Sequence, residues 1–162
     1  MSEYLKAERS ALWREELRKA MKNKDRTAIP RVKMPEVDPA VRSRNYDEVN
    51  LGLTEEMAVN ESHRCLDCVD PTCISGCPVE INIPKFIKNI ERGEYLEAAK
   101  TLKETSALPA VCGRVCPQER QCENSCFYTQ KLKKEPIAIG HLERFAADHE
   151  RVSGNISIPE TA

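Results

Sequence analysis

Apolar side chains recur at intervals of three and four in several stretches of this chain, and nowhere alternate for more than a few positions. That pattern predicts helices and essentially no sheet. Residues 2–22 read as one amphipathic helix, with Leu5, Leu12, Trp13, Leu17, Ala20 and Met21 on one side and no Gly or Pro. Thr54 is placed to cap a helix that runs through Ser62, with Glu55 and Glu56 in the first turn where the helix dipole favours acids. Pro84 opens another, carrying Phe86, Ile87 and Ile90 inward and closed by Gly93. A third covers Tyr95 to Glu104, with Leu96, Ala99 and Leu102 predicted to face the core. Pro117 can open a short helix ending near Ser125. The last, with Ile139, Leu142, Phe145, Ala146 and His149, has firm helical spacing. The fold class is therefore all-α, a helical domain with long ordered loops.

Between Asn23 and Asn50 the periodicity stops. Pro30, Pro35 and Pro39 interrupt every candidate element, and the length exceeds what a compact domain usually leaves irregular. Such a segment is expected to lie as a strap across a partner or another domain. The division that follows is an N-terminal helix at 1–22, a strap at 23–50, a helical domain at 51–149 and a linker at 150–162.

Composition narrows the setting. The 162 residues carry 25 basic and 26 acidic side chains, a net charge of -1, so nothing argues for nucleic acid or an anionic membrane surface. No apolar run approaches the ~20 residues of a membrane span. Glu3 and Glu8 stand where a secretory leader would be cationic and then apolar, which points to the cytoplasm. Residues 1–50 hold twelve Lys and Arg against nine Asp and Glu, a basic arm suited to a protein partner.

Eight cysteines, all between Cys65 and Cys126, change this ordinary picture. Without a secretory leader, a disulfide framework is the weaker account and ligation of a metal or cluster the stronger. The first run is Cys65-x2-Cys68-x4-Cys73-x3-Cys77-Pro78, and the second is Cys112-x3-Cys116-Pro117-x4-Cys122-x3-Cys126. A cysteine followed by proline ends the ferredoxin run, although the x4 spacing here departs from it. Eight thiols suffice for two four-sulfur sites. Zinc is the rival reading, weakened by the single Cys-x2-Cys pair. His63, His141 and His149 lie outside both runs.

Four stretches carry a resemblance to a known family: His63-Arg64-Cys65-Leu66-Asp67-Cys68, the run from Gly76 to Pro84, the run from Leu108 to Pro117, and the run from Pro136 to Phe145. Together they resemble the N-terminal iron–sulfur domain of the NADPH-dependent glutamate synthase small subunit. Dihydropyrimidine dehydrogenase and NADH-dependent ferredoxin:NADP oxidoreductase carry a similar domain. The resemblance implies an alpha-helical ferredoxin-like fold wrapped around two 4Fe–4S clusters. It further implies one cluster held by Cys65, Cys68, Cys73 and Cys126, and another by Cys77, Cys116, Cys122 and Glu143. Cys112 is then left over, although spacing alone leaves it open as the competitor of Glu143.

The same resemblance implies electron relay between a flavin reduced by NADPH and a large partner subunit, where 2-oxoglutarate and glutamine become two glutamates. FAD and NADPH belong to flavoprotein domains for which no G-x-G-x-x-G follows a strand here, so this chain is expected to be non-catalytic alone. Two other readings compete: a zinc-stabilised interaction module, and the equivalent domain of a different flavin and iron–sulfur oxidoreductase.

Overall fold

In the computed structural model, which describes residues 3–158, the regular structure consists of helices. In chain order they are α1 Glu3–Arg9, α2 Leu12–Ala20, α3 Asn23–Arg26, α4 Pro39–Arg42, α5 Glu55–His63, α6 Thr72–Ser75, α7 Ile83–Glu91, α8 Tyr95–Lys103, α9 Pro109–Val115 and α10 Ile139–Ser153. Among the described residues the only β pairing is one isolated antiparallel bridge, Glu36 to Asn50. No helix among them is long and apolar enough to cross a membrane.

Local chemistry sets several boundaries. The Thr54 hydroxyl accepts from the Met57 N–H at 3.2 Å and starts α5. The Asn82 side chain does the same for Lys85 at 3.3 Å, with Pro84 in the first turn of α7. Gly93 ends that helix with φ +81°, a backbone that other residues adopt only under strain. The stretch expected as one helix from Ser2 to Lys22 is two, and Ser2 itself lies outside the described residues. The Ser10 hydroxyl donates back to the Lys6 carbonyl at 2.9 Å and Ala11 is extended, which turns the chain and re-aims α2.

The core is a helical stack. Phe86, Ile87 and Ile90 of α7, Ala98, Ala99 and Leu102 of α8, and Leu142 and Ala146 of α10 are fully buried. Leu96, expected inward, faces out; Tyr95 takes the inward place and meets Phe145 edge-on with ring centroids 5.2 Å apart. Residues 95, 98, 99 and 102 form one helical stripe, which leaves 96 on the other side. α9 was not anticipated, and the region after Pro117 is a 3-10 turn, Gln118–Arg120, rather than a helix.

The proline-rich segment lies across this same helical domain. Arg31 pairs with Glu123 at 2.8 Å, the Val32 N–H donates to Glu61 at 2.8 Å, and Arg64 donates to the Ile29 carbonyl at 3.2 Å. α10 extends to Ser153, into the stretch expected as a linker, and residues 159–162 of that stretch lie outside the described residues.

The all-α class with long loops is what the structure shows. The further expectation, that the domain is wrapped around two 4Fe–4S clusters, is corrected. Among the described residues no group of three or more His, Cys, Asp or Glu side chains is arranged to hold a metal ion.

Candidate functional site

The loop that follows α5 carries Cys65 and Cys68, and its backbone is held from several sides. Lys88 of α7, fully buried, donates to the Cys65 carbonyl at 2.7 Å. The Tyr128 hydroxyl lies 2.8 Å from the Arg64 carbonyl and 3.1 Å from that of Arg26. Cys65, Cys68, Cys73 of α6 and Cys126 line one pocket whose other walls include Ile83, Ile87, Ile137 and Ile139. Those walls are apolar because α7 and α10 turn their core faces toward it. Burial pushes the Cys68 thiol up to about 12 and raises Cys65 and Cys73 as well, with neighbouring thiols adding to each rise.

A second neighbourhood gathers Cys77, Cys112, Cys116, Cys122 and Glu143. Cys116 sits at the end of α9, pushed up to about 11 by burial and by the adjoining Cys112, with Glu143 and Cys77 contributing. Cys122 is pushed up to about 12 by burial, then by Glu123, Cys77 and Glu143. Glu143 projects from the buried side of α10. Its Oε1 has no hydrogen-bond partner, and burial raises its carboxyl to about 7.

The expected grouping of side chains is thus present as neighbourhoods, while the expected metal chemistry is corrected. All eight cysteines are free thiols, and burial favours the neutral form of Cys65, Cys68, Cys73, Cys116 and Cys122. A metal ligand has to be the thiolate. Here the first set lies against isoleucine and proline side chains as small apolar groups do, and no three donors in either set make a metal-holding arrangement. The correction covers the two 4Fe–4S clusters.

What the sequence reading missed is the charge buried around the thiols. Asp67, between Cys65 and Cys68, is fully buried with φ +50°, and Arg14 and Arg18 pair with its carboxylate. Arg26, also buried, pairs with Glu91 at 2.8 Å, and Lys88 pairs with the same carboxylate. Burial pushes Glu91 up, but His63 Nδ1 at 3.4 Å, the hydrogen bonds from Arg26 and the charge of Lys88 outweigh it and hold the group at about 2. The only sequence signal for Asp67 was its place inside Cys65-x2-Cys68; nothing marked its arginines.

Fold and site together define a class: a cysteine-rich helical module whose thiols are collected into two neighbourhoods beside α7, α9 and α10. The chain belongs to the family described as dihydropyrimidine dehydrogenase domain II, 4Fe-4S cluster, which matches residues 42–155. It is 41% identical over 112 residues to the NAD-dependent dihydropyrimidine dehydrogenase subunit PreT of Escherichia coli K12, covering 68% of this chain and 27% of that protein. It is 37% identical over 120 residues to the NADPH glutamate synthase small chain of the same strain, covering 74% of this chain and 25% of that one. To the Azospirillum brasilense small chain it is 34% identical over 117 residues, 72% of this chain and 24% of that protein. The chain therefore spans about a quarter of the length of these relatives. The family's description names a cluster; the donor arrangement described above does not fit one.

Proposed function

We propose that the chain is the electron-relay module of a larger pyridine-nucleotide-dependent oxidoreductase, working between a flavin reduced by NADPH or NADH and a partner subunit. The observation that carries this reading is that the family match, residues 42–155, takes in both cysteine runs and α10, the parts that build the two thiol neighbourhoods. The named relatives supply the electron source, since one is NAD-dependent and the other NADPH-linked. A flavin takes a hydride from either nucleotide and passes electrons on. In this reading the flavin and the nucleotide sit in domains beyond this chain, and the acceptor is a large subunit such as that of glutamate synthase.

The chain's own side chains have definable parts in such a module. Ile83, Ile87, Ile137 and Ile139 exclude water from the neighbourhood of Cys65, Cys68, Cys73 and Cys126. Glu143, raised to about 7, can hold or release a proton near neutral pH beside Cys116 and Cys122.

The test uses the full-length protein with its partner subunit. Cys73→Ser and Cys122→Ser should leave nucleotide oxidation with a dye acceptor intact and cut transfer to the partner's substrate by at least about tenfold, the scale of a lost 1.4 kcal/mol. Unchanged transfer in both variants overturns the reading and leaves a bracing role for the module.

A further inference from the structure

A cleft of about 510 Å³ opens between α3, the loop after α5 and the turn Tyr128–Leu132. Its apolar base is Leu66, Val69, Phe127 and Leu132, and two of these are well exposed, Val69 at 63% and Phe127 at 39%. Leu66, Cys68 and Phe127 also line the pocket of Cys65, Cys73 and Cys126, so a single layer of side chains separates cleft from pocket. The walls are pinned. Arg9 donates through Nε to the Asp67 carbonyl at 2.9 Å, and Lys134 donates to the Thr27 carbonyl at 2.9 Å. One wall, with Arg9, Lys24 and Thr27, lies before residue 42 and so outside the family match, while the other lies within it.

The rim is cationic. Arg9 and Lys24 stand on one side, and Leu132 brings the exposed Lys131 and Lys133 to the other. Arg14, Arg18, Arg26 and Arg31 give their charge to carboxylates of this chain. Among the described residues, Lys24, Lys131, Lys133 and Lys134 have no such carboxylate partner. Of the two acids in the lining, Asp67 is already held by Arg14 and Arg18, which leaves Asp70 alone against the lysines.

From this we infer that the cleft is the docking site for the partner subunit, which inserts a large apolar side chain between Val69 and Phe127 and sets flanking Asp or Glu side chains against Lys24, Lys131 and Lys133. The inference rests on the electron-relay reading and names the docking surface for it. An apolar centre that is desolvated inside a charged rim is the usual anatomy of a protein interface. The lysines steer the encounter and fix its orientation. A phosphate backbone or a lipid headgroup fits less well, since it has no use for the apolar base and the chain as a whole carries a charge of -1. Other walls of the cysteine pocket, Ile83, Ile87 and Ile139, belong to the core, so the cleft gives a partner an approach from solvent.

The experiment titrates the full-length protein with the partner subunit by calorimetry, at low and at raised salt. The variants are Val69→Asp, the pair Lys24→Glu with Lys133→Glu, and Lys100→Glu on α8 as the control away from the cleft. Val69→Asp and the lysine pair should each weaken binding by roughly tenfold or more, and the lysine pair should lose most of the parent's salt dependence. Lys100→Glu should keep the parent affinity. Every changed side chain is exposed, so the variants should melt as the parent does. Unchanged affinity in Val69→Asp and in the lysine pair overturns the inference, and so does a parent that does not bind the subunit. Cleft variants that instead lose self-association, or lose binding to vesicles of phosphatidylserine and phosphatidylcholine, overturn it too. Normal transfer in Cys73→Ser and Cys122→Ser beside weak binding of the cleft variants would sink the relay reading and keep the docking site. Lost transfer in the cysteine variants beside normal binding of the cleft variants would sink the docking site alone.

Discussion

Gly113 of α9 lies directly against the backbone of Arg144 in α10: a Cβ on the glycine would stand 2.6 Å from the Arg144 nitrogen and 2.9 Å from its Cα. Backbone cannot swing aside as a side-chain tip can. Close contact here sets the spacing of the two helices, and with it the position of Cys112 and Cys116 relative to Glu143.

Gly113→Ala should therefore destabilise the fold by about 1–3 kcal/mol, the usual cost of overpacking. A urea titration checks it. Gly93→Ala is the control: φ is +81° but nothing lies within 4 Å, so it should cost only about 1–2 kcal/mol of backbone strain. Only Gly113→Ala should also change the environment of Cys116, seen as an altered thiol-labelling rate.

Glu143 gives stability a pH dependence. Its folded carboxyl, raised from the ordinary 4.5 to about 7, keeps a proton that the unfolded chain has lost across that interval. Stability then falls as pH rises from 4.5 through 7, with a total effect of about 3 kcal/mol. Glu143→Gln removes the titration. The variant should be more stable than the parent at pH 8, by up to that amount, and the gap should close by pH 4. Parallel melts across the range decide it; a gap independent of pH would falsify this account.

Glu91 works in the opposite direction. Held at about 2, it contributes stability that is fully present above 4.5 and is lost as pH falls toward 2, again about 3 kcal/mol. Glu91→Gln leaves Arg26 and Lys88 buried without their counter-charge, and breaking a buried pair in this way costs about 3–5 kcal/mol. At neutral pH the variant should unfold at clearly lower urea than the parent, and it should lack the parent's loss of stability between pH 4.5 and 2.

Tyr128 joins the N-terminal segment to the cysteine loop through one hydroxyl shared by the carbonyls of Arg26 and Arg64. Tyr128→Phe should cost about 1–3 kcal/mol, since both buried carbonyls lose that partner. Hydrogen exchange should show faster opening in residues 23–29 and 63–68 together. Opening confined to one of the two segments would contradict the joint role.

Much of the architecture was written locally and could be read without coordinates. The Thr54 cap, Pro84 in a first turn, Gly93 at a helix end and the spacing from Ile139 to His149 each act within a few residues, so the sequence alone carries them. The two cysteine runs were legible, but the neighbourhoods cross them, with Cys126 beside Cys65, Cys68 and Cys73 and with Cys77 beside Cys116 and Cys122, an interleaving that only the family resemblance implied. Leu96 was misplaced because apolar character does not say which of two neighbouring stripes a helix buries; packing of Tyr95 against Phe145 chose the other. Whether thiols become metal ligands depends on convergence in space and on local dielectric, and sequence spacing encodes neither. Arg9, Arg14 and Arg18 counted only toward a basic arm for a protein partner, because their own partner, Asp67, is 49 to 58 residues away. The sequence by itself determined the helices and the supply of thiols. Only the tertiary structure decided which charges are buried together, because pairing a buried charge is a property of the folded interior and not of any one segment.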